Sequence, residues 1–237
     1  MAAYAPNTIV SLGPGDHVCW FYDTEEEHHA VITPFLRRGL EQGEKVAYVA
    51  HAHTPESILG HLHDDGLDPE PYMARGQLVF LTPDDTYVQG GAFDPDRVIA
   101  MLRDDEERAL ADGYTALRVT GEMTWAQRGV AGVYRLPEYE AKLNEFYPGS
   151  QILGVCQYQR RRIQLELLTE MIAIHPLVIV GEKAYDNPYY IPPAEYLTEV
   201  LPGSKMHRLL QSLQDRDLQQ WRLSHSQRIE AIGHLAG

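Results

Sequence analysis

Residues 17–22 read HVCWFY, and Asp23-Thr24-Glu25-Glu26-Glu27 follow directly. The first run is rich in aromatic and β-branched residues, which predicts a buried strand. Thr24 is a good helix N-cap, and the glutamates after it favour the first turn of a helix. The helix is expected to end at Gly43 and to face the core with Val31, Phe35, Leu36 and Leu40. A strand that leads directly into a helix is the repeating unit of an α/β fold.

Outward from this unit, short β-rich runs alternate with helical segments up to about residue 200. Five further strands are predicted, at residues 45–50, 77–81, 116–120, 151–156 and 177–180. The helices predicted between them cover residues 54–65, 94–111, 134–146 and 162–174. Strands separated by helices favour a mainly parallel sheet covered on both faces, which is a three-layer α/β sandwich.

The connection after the first strand lacks the phosphate-binding pattern of nucleotide hydrolases. Such a pattern needs a glycine-rich loop with a lysine between a strand and a helix. Here Glu25, Glu26 and Glu27 begin the helix, and their charges would repel phosphate. The glycines of Gly13-Pro14-Gly15 come before the strand and are not followed by a P-loop lysine. The sequence therefore argues against a P-loop ATPase.

The composition limits the partners and the compartment. The 237 residues include 20 Lys and Arg against 34 Asp and Glu, for a formal net charge of -14. Because so acidic a chain repels phosphate backbones, we expect no nucleic-acid partner. No apolar run approaches the ~20 residues of a membrane span, and residues 1–6 do not resemble an export signal. The two cysteines, Cys19 and Cys156, fit a reducing compartment, so we expect a cytoplasmic protein with no membrane partner.

The composition changes at Pro202-Gly203. This step divides the chain into a predicted α/β domain, residues 8–202, and a predicted C-terminal segment, residues 203–237. The segment has five basic and three acidic side chains and thus a charge of about +2. We predict a long amphipathic helix that pairs with a second copy of the chain; the alternative is a helix packed on its own domain. Its apolar residues are Leu210, Leu213, Leu218, Trp221, Ile229, Ile232 and Leu235.

A ligand site is expected in the crevice beyond the carboxyl ends of the strands, where α/β sheets bind small molecules. The residues predicted to contact the ligand are Tyr22, Glu122, Trp125 and Tyr158. Residues predicted to support them are His17, Cys19, Cys156 and His175. Two alternatives stay open, since Glu122 could be an acid near a helix N-terminus and His175 a hydrogen-bonded core histidine.

No cofactor, metal site or catalytic residue is predicted. His51 and His53 could chelate an ion if the strand before them continued that far, but no CxxC or HExxH motif supports a site. A metal- or haem-dependent sensor is therefore kept as an alternative. Cys156 or Cys19 could act as a nucleophile with His175, but buried thiols usually remain protonated and inert. The chain is accordingly expected not to be an enzyme.

Several ordered motifs of residues 8–200 together resemble the MEDS domain, the DcmR-type sensory domain of methanogens and methylotrophs. The motifs are Gly15–Tyr22, Gly121–Ala126, Cys156-Gln157-Tyr158 with Arg160-Arg161-Arg162, His175-Pro176 and Asn187–Pro193. The resemblance implies a RecA/KaiC-like fold that has lost its P-loop and a sensor of small hydrocarbon derivatives. Gln159 and Ile163 stand where the family commonly has an acidic residue and a phenylalanine. That departure bears on the ligand and not on the fold.

The final stretch, Ser224–Gly237, resembles the sequence just before the phospho-acceptor box of sensor histidine kinases. The resemblance implies that the chain is the input domain of a histidine kinase, without the kinase core. The expected partners are a small-molecule ligand, a second copy bound through residues 203–237, and a response regulator reached through the missing core. A further alternative is an oligomerising interaction module that binds no ligand.

Overall fold

The computed structural model describes residues 7–198; the segment 203–237 and the boundary at residue 202 lie outside them. The described strands are β1 (Asn7–Thr8), β2 (His17–Tyr22), β3 (Lys45–Val49), β4 (Leu78–Leu81), β5 (Leu117–Glu122), β6 (Ile152–Gln159), β7 (Leu177–Val180) and β8 (Lys183–Asp186). The described α-helices are α1 (Glu25–Glu41), α2 (Pro55–Asp64), α3 (Glu70–Ala74), α4 (Pro95–Ala111), α5 (Leu136–Phe146), α6 (Leu165–Ile174) and α7 (Pro193–Tyr196). None of these helices has the length and apolar composition that a membrane span requires.

All eight strands join one sheet in the order β1-β8-β7-β2-β6-β5-β3-β4. The six strands from β7 to β4 in that order are parallel. At the other edge, β8 runs antiparallel to both β7 and β1. The central pair β2 and β6 places Cys19 directly opposite Cys156.

Each face of the sheet has its own apolar core. Val18, Trp20 and Tyr22 of β2 pack with the helices α1 and α2. Cys19, on the opposite side of the same strand, packs with α4, α5 and α6. Alternate residues of a strand point to opposite faces, so one short strand contributes to both cores. The predicted three-layer α/β architecture is confirmed.

The six predicted strands are all present, and two of them are longer than predicted. β5 continues to Glu122 and β6 to Gln159, because their ends remain buried between neighbouring strands. Two helices begin later than predicted, at Leu136 and Leu165, because a 3-10 turn precedes each. The elements that the sequence analysis did not predict are β1, β8, α3 and α7, all of five residues or fewer.

A buried ion pair joins β5 to the turn between α1 and β3. The guanidinium of Arg118, in β5, is 0% exposed and donates hydrogen bonds to both carboxylate oxygens of Glu44. The same group lies 4.7 Å from the centre of the Phe35 ring. Gly39 of α1 leaves room for it, since a Cβ at that position would clash with the Arg118 side chain. Each of the two buried charges depends on the other for its hydrogen bonds and charge balance.

We expect Glu44→Ala to lower the free energy of unfolding by about 3–5 kcal/mol, because it leaves the Arg118 charge buried without a partner. The double variant Arg118→Met with Glu44→Leu should lose less stability than Glu44→Ala alone, because it removes both charges. Urea denaturation followed by circular dichroism measures both changes. A double variant that is no more stable than Glu44→Ala would contradict this account of the pair.

Candidate functional site

The structure does not bring the eight predicted ligand residues together in one pocket. Tyr22 and Glu122 face α1 and α2, where Glu122 bonds the core residue Tyr48. The other six lie on the face covered by α4, α5 and α6: His17, Cys19, Trp125, Cys156, Tyr158 and His175. Strand alternation is the reason, because it sends Cys19 and Tyr22 of one strand to opposite faces. The single crevice expected beyond the strand ends is replaced by two separate polar clusters, one on each face.

The first cluster is built on Glu122, which ends β5 and is 0% exposed. Its carboxylate accepts hydrogen bonds from the Tyr48 hydroxyl at 2.6 Å and from the backbone N–H groups of His51, Ala52 and His53. Nδ1 of His53 lies 2.8 Å from the same carboxylate. Burial alone would raise the pKa of Glu122, but these hydrogen bonds hold it below its ordinary value. Glu122 therefore stays ionised and fastens the loop after β3 to the end of β5.

Two histidines continue this cluster. His53 lies between two carboxylates, with Nε2 at 2.8 Å from Glu25 and Nδ1 facing Glu122. Burial alone would lower the pKa of His53, but the two carboxylates raise it above its ordinary value. The His28 ring stacks on that of His53 at 3.8 Å, and burial together with His53 lowers the pKa of His28 to about 3. This arrangement favours a charged imidazole stacked on a neutral one.

His51 and His53 do not form a chelating pair. β3 ends at Val49, so both residues lie in the loop that follows it. Nδ1 of His51 lies 2.8 Å from the Thr124 hydroxyl, whereas the two ring nitrogens of His53 face carboxylates. On this face of the sheet, the side chains whose potential metal-ligand atoms converge, within 4.8 Å of one another, are His28, His53 and Glu122.

The second cluster lies under α5 and α6, on the opposite face of the sheet. Its centre is the carboxylate of Glu140, which is 0% exposed. Oε2 of Glu140 lies 3.2 Å from Nε2 of His17 and 3.4 Å from Nε2 of His175. The Cys156 thiol and the Tyr158 hydroxyl donate to the carboxylate at 3.4 and 2.7 Å. Burial alone would raise the pKa of Glu140, but the two histidines hold it well below its ordinary value.

The cysteines considered as nucleophiles lie in or beside this cluster. Sγ of Cys156 lies 3.5 Å from Nε2 of His17. Burial and the charge of Glu140 raise the pKa of both Cys156 and Cys19 well above the ordinary value. A thiol that stays protonated is a poor nucleophile, so this environment disfavours covalent catalysis.

A cavity of about 260 Å³ lies between the sheet and the helices α4 and α5. Its lining is mostly apolar and includes Ala47, Val49, Val119, Val98 and Leu102. Its charged side chains come from the start of β3, the second half of α4 and the residue after α4, and its other polar groups are phenols, one hydroxyl and one thiol. These polar lining residues are Lys45, Asp105, Arg108, Asp112, Tyr87, Tyr139, Tyr147, Thr86 and Cys156.

Two glycines make room for the phenols of this cavity. A Cβ at Gly121 would clash with the Tyr87 oxygen, and a Cβ at Gly154 would clash with the Tyr147 oxygen. Burial raises the pKa of the Tyr87 and Tyr147 phenols well above the ordinary value of a tyrosine. Each therefore remains a neutral hydroxyl that can donate a hydrogen bond. The cavity therefore combines apolar walls with neutral donors.

The start of α1 is closed by the chain's own side chains. The Thr24 hydroxyl accepts a hydrogen bond from the Glu27 N–H at 3.2 Å, and the Glu27 carboxylate accepts one from the Asp23 N–H at 2.6 Å. Asp23 also forms an ion pair with Arg160. Acidic groups thus occupy the helix N-terminus at which a phosphate would bind in a nucleotide hydrolase.

Sequence reasoning missed Glu140 and the three phenols of the cavity. One signal was available for Glu140, because it falls at a core-facing position of α5, between Leu136 and Leu143. A carboxylate on the apolar side of a helix indicates a buried polar contact. Nothing in the local sequence distinguished Tyr87 or Tyr147 from ordinary core tyrosines.

The depressed pKa of His28 predicts a loss of stability in acid. The folded-state pKa of about 3 lies below the ~6.5 of an unfolded histidine. The contribution of His28 to the free energy of unfolding is therefore complete above pH ~6.5. It is lost at about 1.4 kcal/mol per pH unit as the pH falls toward the folded-state pKa. We expect the free energy of unfolding of His28→Gln, measured by urea denaturation, to depend less steeply on pH between 6.5 and 4.5. The slope should be smaller than that of the parent by about this amount. The exposed control His63→Gln should keep the parent slope, and a parent-like slope in His28→Gln would refute the assignment.

Two solved structures are similar to this chain in fold. The flagellar accessory protein FlaH of Methanocaldococcus jannaschii has a TM-score of 0.54 at 12% identity, covering 77% of this chain and 82% of that one. A KaiC-like protein of the hyperthermophilic archaeon Pyrococcus horikoshii has a TM-score of 0.48 at 14% identity, covering 70% of each chain. At these identities the similarity concerns the fold alone, which is RecA/KaiC-like as expected.

The sequence comparisons assign the family. No curated protein matches this chain. The model of one family, described as the methanogen/methylotroph DcmR sensory domain, matches residues 16–176. That span covers β2 to the end of α6, including both polar clusters and the walls of the cavity. The chain therefore belongs to the MEDS family of sensory domains.

Proposed function

We propose that this chain is the small-molecule input domain of a signalling protein, and that the ligand occupies the cavity between the sheet and the helices α4 and α5. The cavity carries the proposal. Its volume of about 260 Å³ exceeds the ~150 Å³ of an engineered apolar cavity that binds benzene. Membership of a family of sensory domains supports the same conclusion.

The lining supports a small hydrocarbon-like or weakly polar ligand. The valine and leucine side chains favour an apolar body, because its transfer from water removes apolar surface from solvent. Tyr87 and Tyr147 offer neutral donors to one acceptor on the ligand, such as a carbonyl, a hydroxyl or a halide. In this proposal Cys156 contacts the ligand, whereas Tyr22 and Glu122 lie on the other face of the sheet.

The chain acts in this proposal as a sensor and not as an enzyme. Two features support that role. The thiols of Cys19 and Cys156 are held in the protonated form, and acidic side chains close the N-terminus of α1. Neither feature suits acyl or phosphoryl transfer.

We further propose that occupancy of the cavity is transmitted to residues 203–237, which pair two copies of the chain and lead to a histidine kinase core acting on a response regulator. The helices α4 and α5 form one wall of the cavity, so a ligand would bias their packing against the sheet. A coupling of ~1–3 kcal/mol between the cavity and the paired segment is enough for 5- to 150-fold regulation.

A thermal-shift screen of the full chain tests ligand binding. We expect small alcohols, amines, acids, ketones and halides with one to six carbons to include a stabilising compound. A ligand at 100 times its Kd adds about 2.7 kcal/mol, or roughly 5–10 °C in Tm for a chain of this size.

Two matched variants test whether the stabilising compound binds in the cavity. Val119→Phe inserts an aromatic ring into the cavity and should abolish the shift. Val180→Phe makes the same change at a position 63% exposed, outside the cavity, and should leave the shift intact. The proposal is wrong if no compound stabilises the chain, or if Val119→Phe responds as the parent does.

Sedimentation equilibrium of the full chain tests the pairing. Leu218→Asp puts a charge on the apolar stripe of residues 203–237 and should weaken the dimer at least tenfold, because an unpaired charge is costly in an apolar interface. The neighbouring control Gln219→Asp adds the same charge off the stripe and should leave the dimer unchanged. A parent chain that is monomeric at high micromolar concentration would rule out this pairing.

A further inference from the structure

The second polar cluster brings together four side chains of kinds that bind transition metals. They come from four different elements: His17 from β2, Glu140 from α5, Cys156 from β6, and His175 from the end of α6. Their donor atoms all lie within 4.8 Å of one another, and all four residues are buried. Two imidazoles, a thiolate and a carboxylate are typical ligands of Zn²⁺ and related divalent ions.

The hydrogen bonds of His17 set its tautomer. Nδ1 of His17 lies 2.8 Å from Oδ1 of Asn144. The Asn144 amide is oriented by its own nitrogen, which donates to the carbonyl oxygens of Glu140 and Ile174. Since Oδ1 can only accept, Nδ1 of His17 carries the proton. The lone pair of the neutral ring is therefore on Nε2, which faces the Glu140 carboxylate.

His175 has the same arrangement. Nδ1 of His175 lies 2.8 Å from the carbonyl oxygen of Met171, so Nδ1 carries the proton here too. Nε2 is buried, makes no hydrogen bond within the described residues, and lies 3.4 Å from Oε2 of Glu140. Metal-bound histidines typically donate their other ring nitrogen to an oxygen in this way.

Nε2 of His17 and Nε2 of His175 thus face the same buried carboxylate oxygen. The Cys156 thiol lies 3.4 Å from that oxygen and 3.5 Å from Nε2 of His17, so four side chains that can bind a cation converge at the centre of the cluster. We propose that His17, Glu140, Cys156 and His175 bind one divalent transition-metal ion, with Zn²⁺ the best match, through Nε2, Oε2, Sγ and Nε2. Binding releases the thiol proton of Cys156, so that the thiolate and the carboxylate balance the charge of the ion.

The distances suit a tetrahedral site. Bond lengths of ~2.0–2.3 Å imply ligand-to-ligand edges of roughly 3.3–3.8 Å in a tetrahedron. Four of the six edges are seen: 3.2 Å for His17 to Glu140, 3.4 Å for His175 to Glu140, 3.4 Å for Cys156 to Glu140 and 3.5 Å for Cys156 to His17. Only small movements would be needed to admit the ion.

The other converging group, His28, His53 and Glu122, suits a metal less well. Both carboxylate oxygens of Glu122 already accept hydrogen bonds from backbone N–H groups, which cannot act as ligands. In contrast, the groups that contact Oε2 of Glu140 are all side chains that can bind a metal. A metal at Glu140 would therefore replace long contacts between side chains that can themselves bind it. A metal at Glu122 would instead break hydrogen bonds from backbone N–H groups.

The proposed metal would connect the outer helices to the sheet beside the ligand cavity. Cys156 belongs to both the cluster and the cavity lining, and the cavity residue Tyr147 stacks on His17 at 5.0 Å. Because four protein side chains fill the tetrahedron, we assign the ion a structural role.

The test is metal titration of the full chain after removal of bound metal with a chelator, with no organic compound present. We expect one Zn²⁺ per chain by elemental analysis, and a thiolate-to-metal absorption band when Co²⁺ is bound instead. Cys156→Ser should lose the band and bind at least tenfold more weakly. Cys19→Ser removes the neighbouring buried thiol, which is outside the cluster, and should keep both the band and the affinity.

A second variant separates metal binding from folding. Asn144→Ala leaves all four ligands in place but removes the acceptor that orients His17, and should weaken binding ~10–100-fold while retaining the Co²⁺ band. Near-ultraviolet circular dichroism confirms that each variant is folded. The proposal fails if the parent binds less than a tenth of an equivalent of Zn²⁺ or Co²⁺, or if Cys156→Ser and Cys19→Ser give the same band. Failure here leaves the sensory proposal untouched, because the titration does not involve the organic ligand.

Discussion

A buried carboxylate must be matched by donors or by a cation, and this requirement organises both faces of the sheet. Glu122 is matched by the backbone N–H groups of the loop after β3 and by Tyr48. Glu44 is matched by Arg118, and Glu140 by side chains from β2, β6 and the end of α6. Each match ties a helix or a loop to the central strands, since an unmatched charge in a core costs several kcal/mol. The polar contacts thus set which elements lie together.

The carboxyl ends of β2 and β3 are closed by the chain's own residues. At the end of β2 the side chains of Asp23, Thr24 and Glu27 close the helix terminus, and at the end of β3 a loop wraps Glu122. A mostly apolar cavity lies instead between the sheet and the helices α4 and α5. Glycines at positions 121 and 154 allow tyrosines to lie against the strands, where larger residues would collide with them.

The cavity and the Glu140 cluster are neighbours, and this proximity links the two proposals physically. Cys156 belongs to both, and Tyr147, which lines the cavity, stacks its ring on that of His17. A change on one side would therefore be felt on the other through packed side chains, because protein interiors are dense and transmit small displacements. Both regions involve α5, which contributes Tyr139 to the cavity and Glu140 to the cluster.

The amino-acid sequence by itself determined the order of strands and helices, because apolar runs such as HVCWFY and caps such as Thr24 act over a few residues. It also marked Glu122 as a notable acid, and its ordered motifs matched the family later assigned. Only the tertiary structure decided which residues meet. Tyr22 and Tyr158 both lie near the carboxyl ends of strands, yet they face opposite cores. Glu140 reaches His17 across 123 positions of the chain. Such contacts depend on strand order and on the face each residue occupies, and neither is encoded in a local pattern.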